Sequence, residues 1–225
     1  MYDDDFIHPG PPIVGVGPWP GGENAWPRLA DQTLDPKFDS ELLATGDRRN
    51  VADQYRYWTV EAIVADLDTK RHAFHIAIEN WQHDLNIGTV VRTANAFNAK
   101  SVHVVGKKRW NRRGAMVTDR YLHVHHQPTP EDLVSWAQTA GPQRGPLPII
   151  GIDNVPGSVP IETYKLPEHC VLVFGQEQTG LTEQVREVCQ DVLHITQFGS
   201  TRSINAAAAA AIAMHRWIKQ HAVID

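Results

Sequence analysis

Three short segments of this sequence put polar residues directly after an apolar run, the place where ligands settle in open α/β sheets. The first runs from Glu79 to Phe97 and holds Asn86, Gly88 and Arg92. Read as a helix from Asn86, it buries Ile87, Val91, Ala94 and Phe97 in one stripe and gathers Gly88, Arg92 and Asn95 on another face. Taken alone, such an arginine is as readily a solvated surface charge as a functional one. The second segment, Val171 to Leu181, is an apolar strand entering a loop bounded by Gly175 and Gly180. That glycine spacing matches a phosphate-binding loop, but Leu181 stands where the lysine is needed, which argues against nucleoside triphosphates. Glu177 in so tight a loop is either a cap for backbone amides or a carboxylate with a task. The third segment, Ile195 to Ala206, leads from the last expected strand to the last helix, with Ser203 or Asn205 as the cap. Capping explains one of these residues, and the free amides of the helix start suit a polar ligand group.

A fourth cluster is electrostatic. The chain carries −5 overall, which is unpromising for a nucleic-acid partner because phosphate contacts supply most of the affinity. Its distribution reverses that reading: residues 1–69 hold thirteen acids against five bases, a balance of −8, so residues 70–225 carry +3. Between Lys100 and Arg120 stand Lys107, Lys108, Arg109, Arg112 and Arg113 as well, against Asp119 alone, with Trp110 among them. Charge runs often only face water, but an aromatic set among arginines is what stacking on RNA bases requires. His123 and His125 share one face of a strand, yet no acid or cysteine accompanies them, so no metal site is expected.

The elements that must position these groups follow from periodicity. Residues 1–38 are rich in glycine and proline and read as an extended arm; Gly15-x-Gly17 opens no helix because Pro18 and Pro20 follow. Across 39–67 the apolar positions Val51, Tyr55, Trp58, Ala62 and Val64 predict one amphipathic helix, packed on the body or facing a partner. After Lys70, strands are expected at 73–79, 101–105, 121–125, 147–152, 171–174 and 192–195. Helices are expected at 86–97, after the Thr129-Pro130 start, at 182–189 and at 206–221. This alternation implies an α/β fold, a mostly parallel sheet with helices on both faces, plus an N-terminal extension. The domain division expected is 1–69 and 70–225. Two cysteines 19 positions apart suggest neither disulfide nor zinc knuckle, the acidic start is unlike a signal peptide, and no long apolar run appears. A cytoplasmic protein without a membrane partner is the expectation.

In this order and chemistry the segments resemble the three signature motifs of the SpoU (TrmH-like) family of the SPOUT class, over residue 73 to the end. Asn86-x-Gly88-x-x-x-Arg92 is similar to the first, Phe174-Gly-x-Glu177-x-x-Gly-Leu181 to the second, and Ser203-Ile-Asn205 to the third; Arg112 to Ala115 is similar to the substrate-side loop. Thr196 stands where the family usually has proline, Ile204 where it often has leucine or methionine, and Asn98 where it has glycine. The resemblance implies a C-terminal deep trefoil knot, against the general rarity of knots, and a homodimer. It implies S-adenosylmethionine held by Gly175, Ile195, Ile204, Ser203 and Ile152, and methylation of a ribose 2′-hydroxyl in RNA.

By the same resemblance Arg92 addresses the hydroxyl or its phosphate, with Asn86, Glu177, Ser203 and Asn205 orienting it. A guanidinium is a poor base and a good clamp for phosphate and developing alkoxide. Lys107, Lys108, Arg109, Arg112 and Arg113 would bind the RNA, transfer RNA by preference in a compact chain without an evident separate RNA-binding domain, ribosomal RNA as the alternative. Two other readings are a silent RNA-binding factor on the same fold and a base-directed methyltransferase. The intact Arg92, Glu177, Ser203 and Asn205 speak against the former, and Ser203-Ile-Asn205 against the latter.

Overall fold

The structure, a computed structural model, describes residues 15–82, 86–177 and 179–223. The start of the expected arm, with its Pro9-Gly-Pro-Pro12 run, lies outside them. The chain divides into two compact units, one up to Ala65 and one from Asp66 onward.

The expected single helix over 39–67 is replaced by two short ones, α1 (Ser40–Thr45) and α2 (Val60–Asp68), with a 3-10 turn at Asp53–Tyr55 between them. Gly46 at φ 97° and Tyr57 at φ 65° take left-handed conformations that an α-helix cannot carry. Asp47, fully buried, organises the stretch that periodicity read as helix: its carboxylate accepts hydrogen bonds from the Arg49 side chain and from the amides of Arg49 and Tyr57. Burial works against that charge, and the Arg49 and Tyr57 bonds outweigh it, holding the carboxyl at about 2. The described part of the arm is also folded rather than extended. Val16 bridges Asp47, Phe38 bridges Trp58, and the Trp19 ring meets Phe38 and Tyr57 edge-on.

The second unit is a seven-stranded sheet in the order β3-β2-β1-β6-β4-β7-β5, parallel in every pairing. Along the chain come β1 (Phe74–Asn80), α3 (Asn86–Ala96), β2 (Val102–Gly106), β3 (Val124–Gln127), α4 (Pro130–Ala140) and β4 (Ile149–Ile152). They are followed by β5 (Val159–Pro160), β6 (Cys170–Phe174), α5 (Glu183–Val188), β7 (Asp191–His194) and α6 (Ala206–His221). β1 is buried along all seven residues, as a central parallel strand covered on both faces must be. Its alternate residues Phe74, Ile76 and Ile78 join Ile87, Val91 and Ala94 of α3 and Met214 and Trp217 of α6 in one core layer. Ala77, Val171 and Val173 point the other way, to Leu133 of α4 and Val185 of α5. The expected helices on both faces are present. The Thr129 cap forms a full capping box with Asp132, and Asn205, rather than Ser203, caps α6.

Two differences concern strands. β3 begins at Val124, because 118–121 close a 3-10 turn, and two-residue β5 has no sequence signal. The histidines are distributed among structural roles. His123 meets Asp68, His126 meets the Gly106 carbonyl, and His125 stacks on His103 at 4.9 Å. Among the described residues no group of three or more His, Cys, Asp or Glu has the arrangement of a metal site.

One buried polar chain carries a prediction. Gln127 Nε2 donates to His103 Nδ1, leaving His103 Nε2–H to donate to Ser101 Oγ and Ser101 O–H to donate to His75 Nδ1. Every ring in this order is neutral. Burial, reinforced for His75 by Lys100 and for His103 by His125, pushes the two imidazoles down to about 4 and about 2. The unfolded chain therefore binds protons that the folded one refuses once pH drops below about 6.5. Stability should be full above that pH and fall on the order of 2 kcal/mol per histidine by pH 4.5, before carboxylates such as Asp47 protonate. Urea midpoints measured from pH 7.5 to 4.5 test this. A flat profile would show that the rings are not held neutral.

Candidate active site

The three strand-end segments meet through their carboxamides and one carboxylate. Asn86, the first residue of α3, donates from Nδ2 to Glu177 Oε2 at 2.8 Å. Asn205 donates from Nδ2 to Asn86 Oδ1 at 2.9 Å and to Glu177 Oε1 at 3.2 Å. The Asn205 Oδ1 is at the same time engaged as the helix cap, accepting from the amides of Ala207 and Ala208. One side chain thus fixes the start of α6 and ties it to α3 and to the loop after β6. Charge-assisted bonds of this kind are the stronger class, and here each carboxylate oxygen takes a carboxamide N–H. The partners lie 91, 119 and 28 positions apart, so only the fold can assemble them.

Beside this network opens a cavity of about 320 Å³ at the carboxyl ends of β4, β6 and β7. All five residues expected to hold a cofactor line it: Ile152, Gly175, Ile195, Ser203 and Ile204. Glu177 lines it too, with Asp153, Phe174, Gln176 and Gln197. The chemistry of this lining suits S-adenosylmethionine. Ile152, Phe174, Ile195 and Ile204 offer an apolar slot for a purine. Gln176 Oε1 and Gln197 Oε1 are buried acceptors with no partner among the described residues, able to receive a ligand's amine or ammonium hydrogens.

The loop that forms one wall is exceptionally tight. Gln176 and Gly180 exchange backbone hydrogen bonds, and a Cβ placed on Gly175 would fall 2.0 Å from the Gly180 carbonyl carbon. Asp153, immediately after β4, accepts from the Leu181 amide at 2.8 Å and so clamps the end of this loop. Asp153, Gln176 and Gln197 were not among the residues expected from sequence. Asp153 follows an apolar strand and carries the signal that marked the other three segments; the two glutamines carry none.

The structure does not bring Arg92 to this cavity. It is exposed on α3, with no hydrogen bond or ion pair among the described residues. Its face of the helix is set by Gly88, one turn earlier. A Cβ there would lie 2.7 Å from the Ala115 amide, and one on Gly114 would lie 2.9 Å from the Thr89 amide. Two glycines let the backbone of the basic loop press onto α3, so Arg92 stands on the side of the helix where the cations gather. Asn80, at the end of β1, donates from Nδ2 to the carbonyls of Lys107 and Arg109 at 2.7 and 2.8 Å and fixes the start of that loop. Lys107, Lys108, Arg109, Arg112 and Arg113 are all exposed. Arg112 also pairs with Asp119 at 3.5 Å.

Two departures from the motifs have local reasons. Asn98 sits at φ 47°, a left-handed position that asparagine tolerates, and its side chain bonds the Lys70 carbonyl and the Arg71 guanidinium. Thr196 uses the N–H that a proline lacks, donating with its hydroxyl to the two oxygens of Glu162.

Comparison with known proteins agrees with this geometry. A 23S rRNA (uridine(2479)-2′-O)-methyltransferase of Streptomyces viridochromogenes is 25% identical over 143 residues, 60% of this chain and 48% of the relative. The chain spans about half the length of the curated relatives it matches. Among solved structures, the SpoU methyltransferase AviRb of Streptomyces viridochromogenes in complex with AdoMet superposes with a TM-score of 0.59. Identity is 23%, covering 69% of this chain and 60% of that one. The A. aeolicus TrmH/SpoU tRNA modifying enzyme gives a TM-score of 0.61 at 18% identity, covering 72% and 81%. Both share the fold. The family description that matches the sequence itself covers residues 73–215, from the first strand to within the last helix. That span contains the whole sheet, the cavity and the Asn86–Glu177–Asn205 network, and the chain belongs to the SpoU rRNA methylase family.

Proposed function

We propose that this protein is an S-adenosylmethionine-dependent methyltransferase that acts on a ribose 2′-hydroxyl of structured RNA. The observation that carries the reading is the meeting of Asn86, Glu177 and Asn205 at the rim of a cavity lined by every residue expected to hold the donor. Residues 1–69 are proposed as an extension and 70–225 as the catalytic unit, whose last loop threads into a knot. Transfer RNA is the proposed substrate on the ground of the compact catalytic unit. Ribosomal RNA is the second reading, favoured by the relative that acts on 23S rRNA. A cytoplasmic setting fits Cys170 and Cys189, both free thiols pushed up to about 12 by burial, which leaves them inert. No helix of the described residues is long and apolar enough to cross a membrane.

S-adenosylmethionine supplies, when bound, a methyl group on a sulfonium. The chain's own part is to align and to stabilise charge. Alignment is worth several orders of magnitude in rate, and the network that locks three loops together is the means. Arg92 clamps the phosphate next to the target ribose and stabilises negative charge as the hydroxyl loses its proton. Ser203, exposed at the cavity, orients the ribose. Arg92 does not line the cavity of its own chain, and in the homodimer that the family resemblance implies a second copy would complete the site.

Transfer of labelled methyl from S-adenosylmethionine to total RNA, followed by mapping of ribose methylation, tests the proposal. Label in a 2′-O-methyl nucleotide is the expected result, with transfer RNA as the labelled fraction. Label on a base, or none from a protein that binds both donor and RNA, would refute it.

A further inference from the structure

A second pocket opens at the β3 edge of the sheet, beneath the basic loop. It encloses about 380 Å³, within the range of roughly 300–1,000 Å³ typical of small-ligand sites. It has no lining residue in common with the donor cavity. β3 lies three strand spacings from β6, about 14 Å, so the two are separate sites.

Its lining divides by chemistry. Val104, Leu122 and Val124 make an apolar floor, and the Trp110 ring, held against the main core, forms a flat wall. Lys108, Arg112 and Arg120 supply positive groups around it, against the single acid Asp119. Asp119 is already engaged by Arg112, while exposed Arg120 has no partner among the described residues. The Arg112 guanidinium stands over the Trp110 ring at 5.4 Å, so a base drawn to this wall would share the aromatic face with a cation able to move aside onto its phosphate. An apolar slot with one aromatic wall and a cationic rim matches one ligand shape, a flat heterocycle attached to a phosphate. In a chain of net charge −5 this concentration of cations around an apolar floor is not explained by solubility.

We propose that this edge pocket binds one nucleotide of the RNA, distinct from the methylated one, with its base against Trp110 and its phosphate on Arg120 and Lys108. The inference rests on the RNA reading above and deepens it. The basic loop then does more than attract phosphates: it holds an unpaired base and so sets which position of the RNA reaches the donor. Stacking on an aromatic side chain requires a single-stranded or extruded nucleotide, so the partner is a looped or bulged segment.

The test uses the full-length protein, a labelled mixed-sequence 12-nucleotide single-stranded RNA, and a ribose-phosphate chain of the same length without bases. Binding is read by fluorescence anisotropy, and calorimetric titration with S-adenosylmethionine reports whether each variant is folded. The wild type should prefer the base-bearing chain by roughly tenfold. Trp110→Phe should keep that preference and Trp110→Leu should erase it, with donor binding unchanged in both. Should Trp110→Leu fail to fold, Arg120→Gln at the exposed rim still decides. It should weaken binding of the RNA and lower the slope of affinity against salt by about one. Equal affinity for the two chains, or an unaltered preference in folded Trp110→Leu, or unaltered RNA affinity and salt slope in Arg120→Gln, would overturn the pocket while RNA methylation stands. Failure of the wild type to bind either chain would also overturn the pocket, whereas the RNA reading itself falls only if no methyl group reaches the ribose of structured RNA.

Discussion

Replacing Arg92 with alanine is expected to reduce methyl transfer to RNA by at least about a hundredfold, the scale of losing one group that stabilises developing charge. S-adenosylmethionine binding should be nearly unchanged, because the side chain lies outside the donor cavity. Stability should move little, since exposed side chains without partners are usually worth within about 0.5 kcal/mol. That combination is diagnostic. A structural arginine would lose folding first, and a donor-binding arginine would lose affinity for the donor. Arg92→Lys should recover only part of the activity, because an ammonium keeps the charge but not the planar fork that grips a phosphate. Single-turnover label transfer, paired with calorimetry, separates these outcomes. Wild-type transfer by folded Arg92→Ala would remove the guanidinium from the mechanism.

The second large effect should come from a single methyl group. In Gly175→Ala the new Cβ would sit 2.0 Å from Gly180 C and 2.2 Å from the Leu181 amide nitrogen, contacts that only backbone movement relieves. The atoms in the way belong to the loop closed by the Gln176–Gly180 bridge and pinned by Asp153, so no flexible side chain can give. Overpacking of this kind costs about 1–3 kcal/mol or more, and the strain falls on the wall of the donor cavity. Donor affinity should fall by roughly a hundredfold or more, the equivalent of about 3 kcal/mol. Gly199→Ala is the matched control. A Cβ there meets nothing within 4 Å, and donor binding should be retained. Equal donor affinity in Gly175→Ala and the wild type would show that this loop does not form the wall.

Much of the site could be read in advance because its clues are local. Asn86, Glu177, Ser203 and Asn205 each stand at a strand end or a helix start, and those boundaries are written in turn and capping residues a few positions away. The glycine of the tight loop was legible for the same reason. Asp153 was missed although its position carries the same signal, since a lone acid after a strand is common. Gln176 and Gln197 could not have been singled out, because what distinguishes them is a buried side-chain oxygen without a partner among the described residues.

The first unit shows where periodicity misleads. Val51, Tyr55 and Trp58 recur at a helical spacing, but Asp47 draws the chain around its carboxylate, and that centre of hydrogen bonds overrides the local pattern. The histidines show the same limit. His103 and His125 are aligned by the register of β2 against β3, and His75 joins through Ser101, so a neutral chain arises from pairing that no window of sequence reveals.

The sequence by itself determined the alternation of strands and helices, the caps, the three motif segments and the excess of cations between Lys100 and Arg120. These follow from side-chain period and backbone preference over a few residues. Only the tertiary structure decided that Asn205 rather than Ser203 caps the last helix and that Asn86, Glu177 and Asn205 share one network. It alone placed Arg92 on the side of the basic loop instead of the donor cavity and folded the cations over a pocket. Those outcomes depend on parallel strands pairing across as many as 96 positions of chain, as Phe74 does with Cys170, and on glycines whose missing side chains permit backbones to touch. The energy of such contacts appears only when distant segments are brought together.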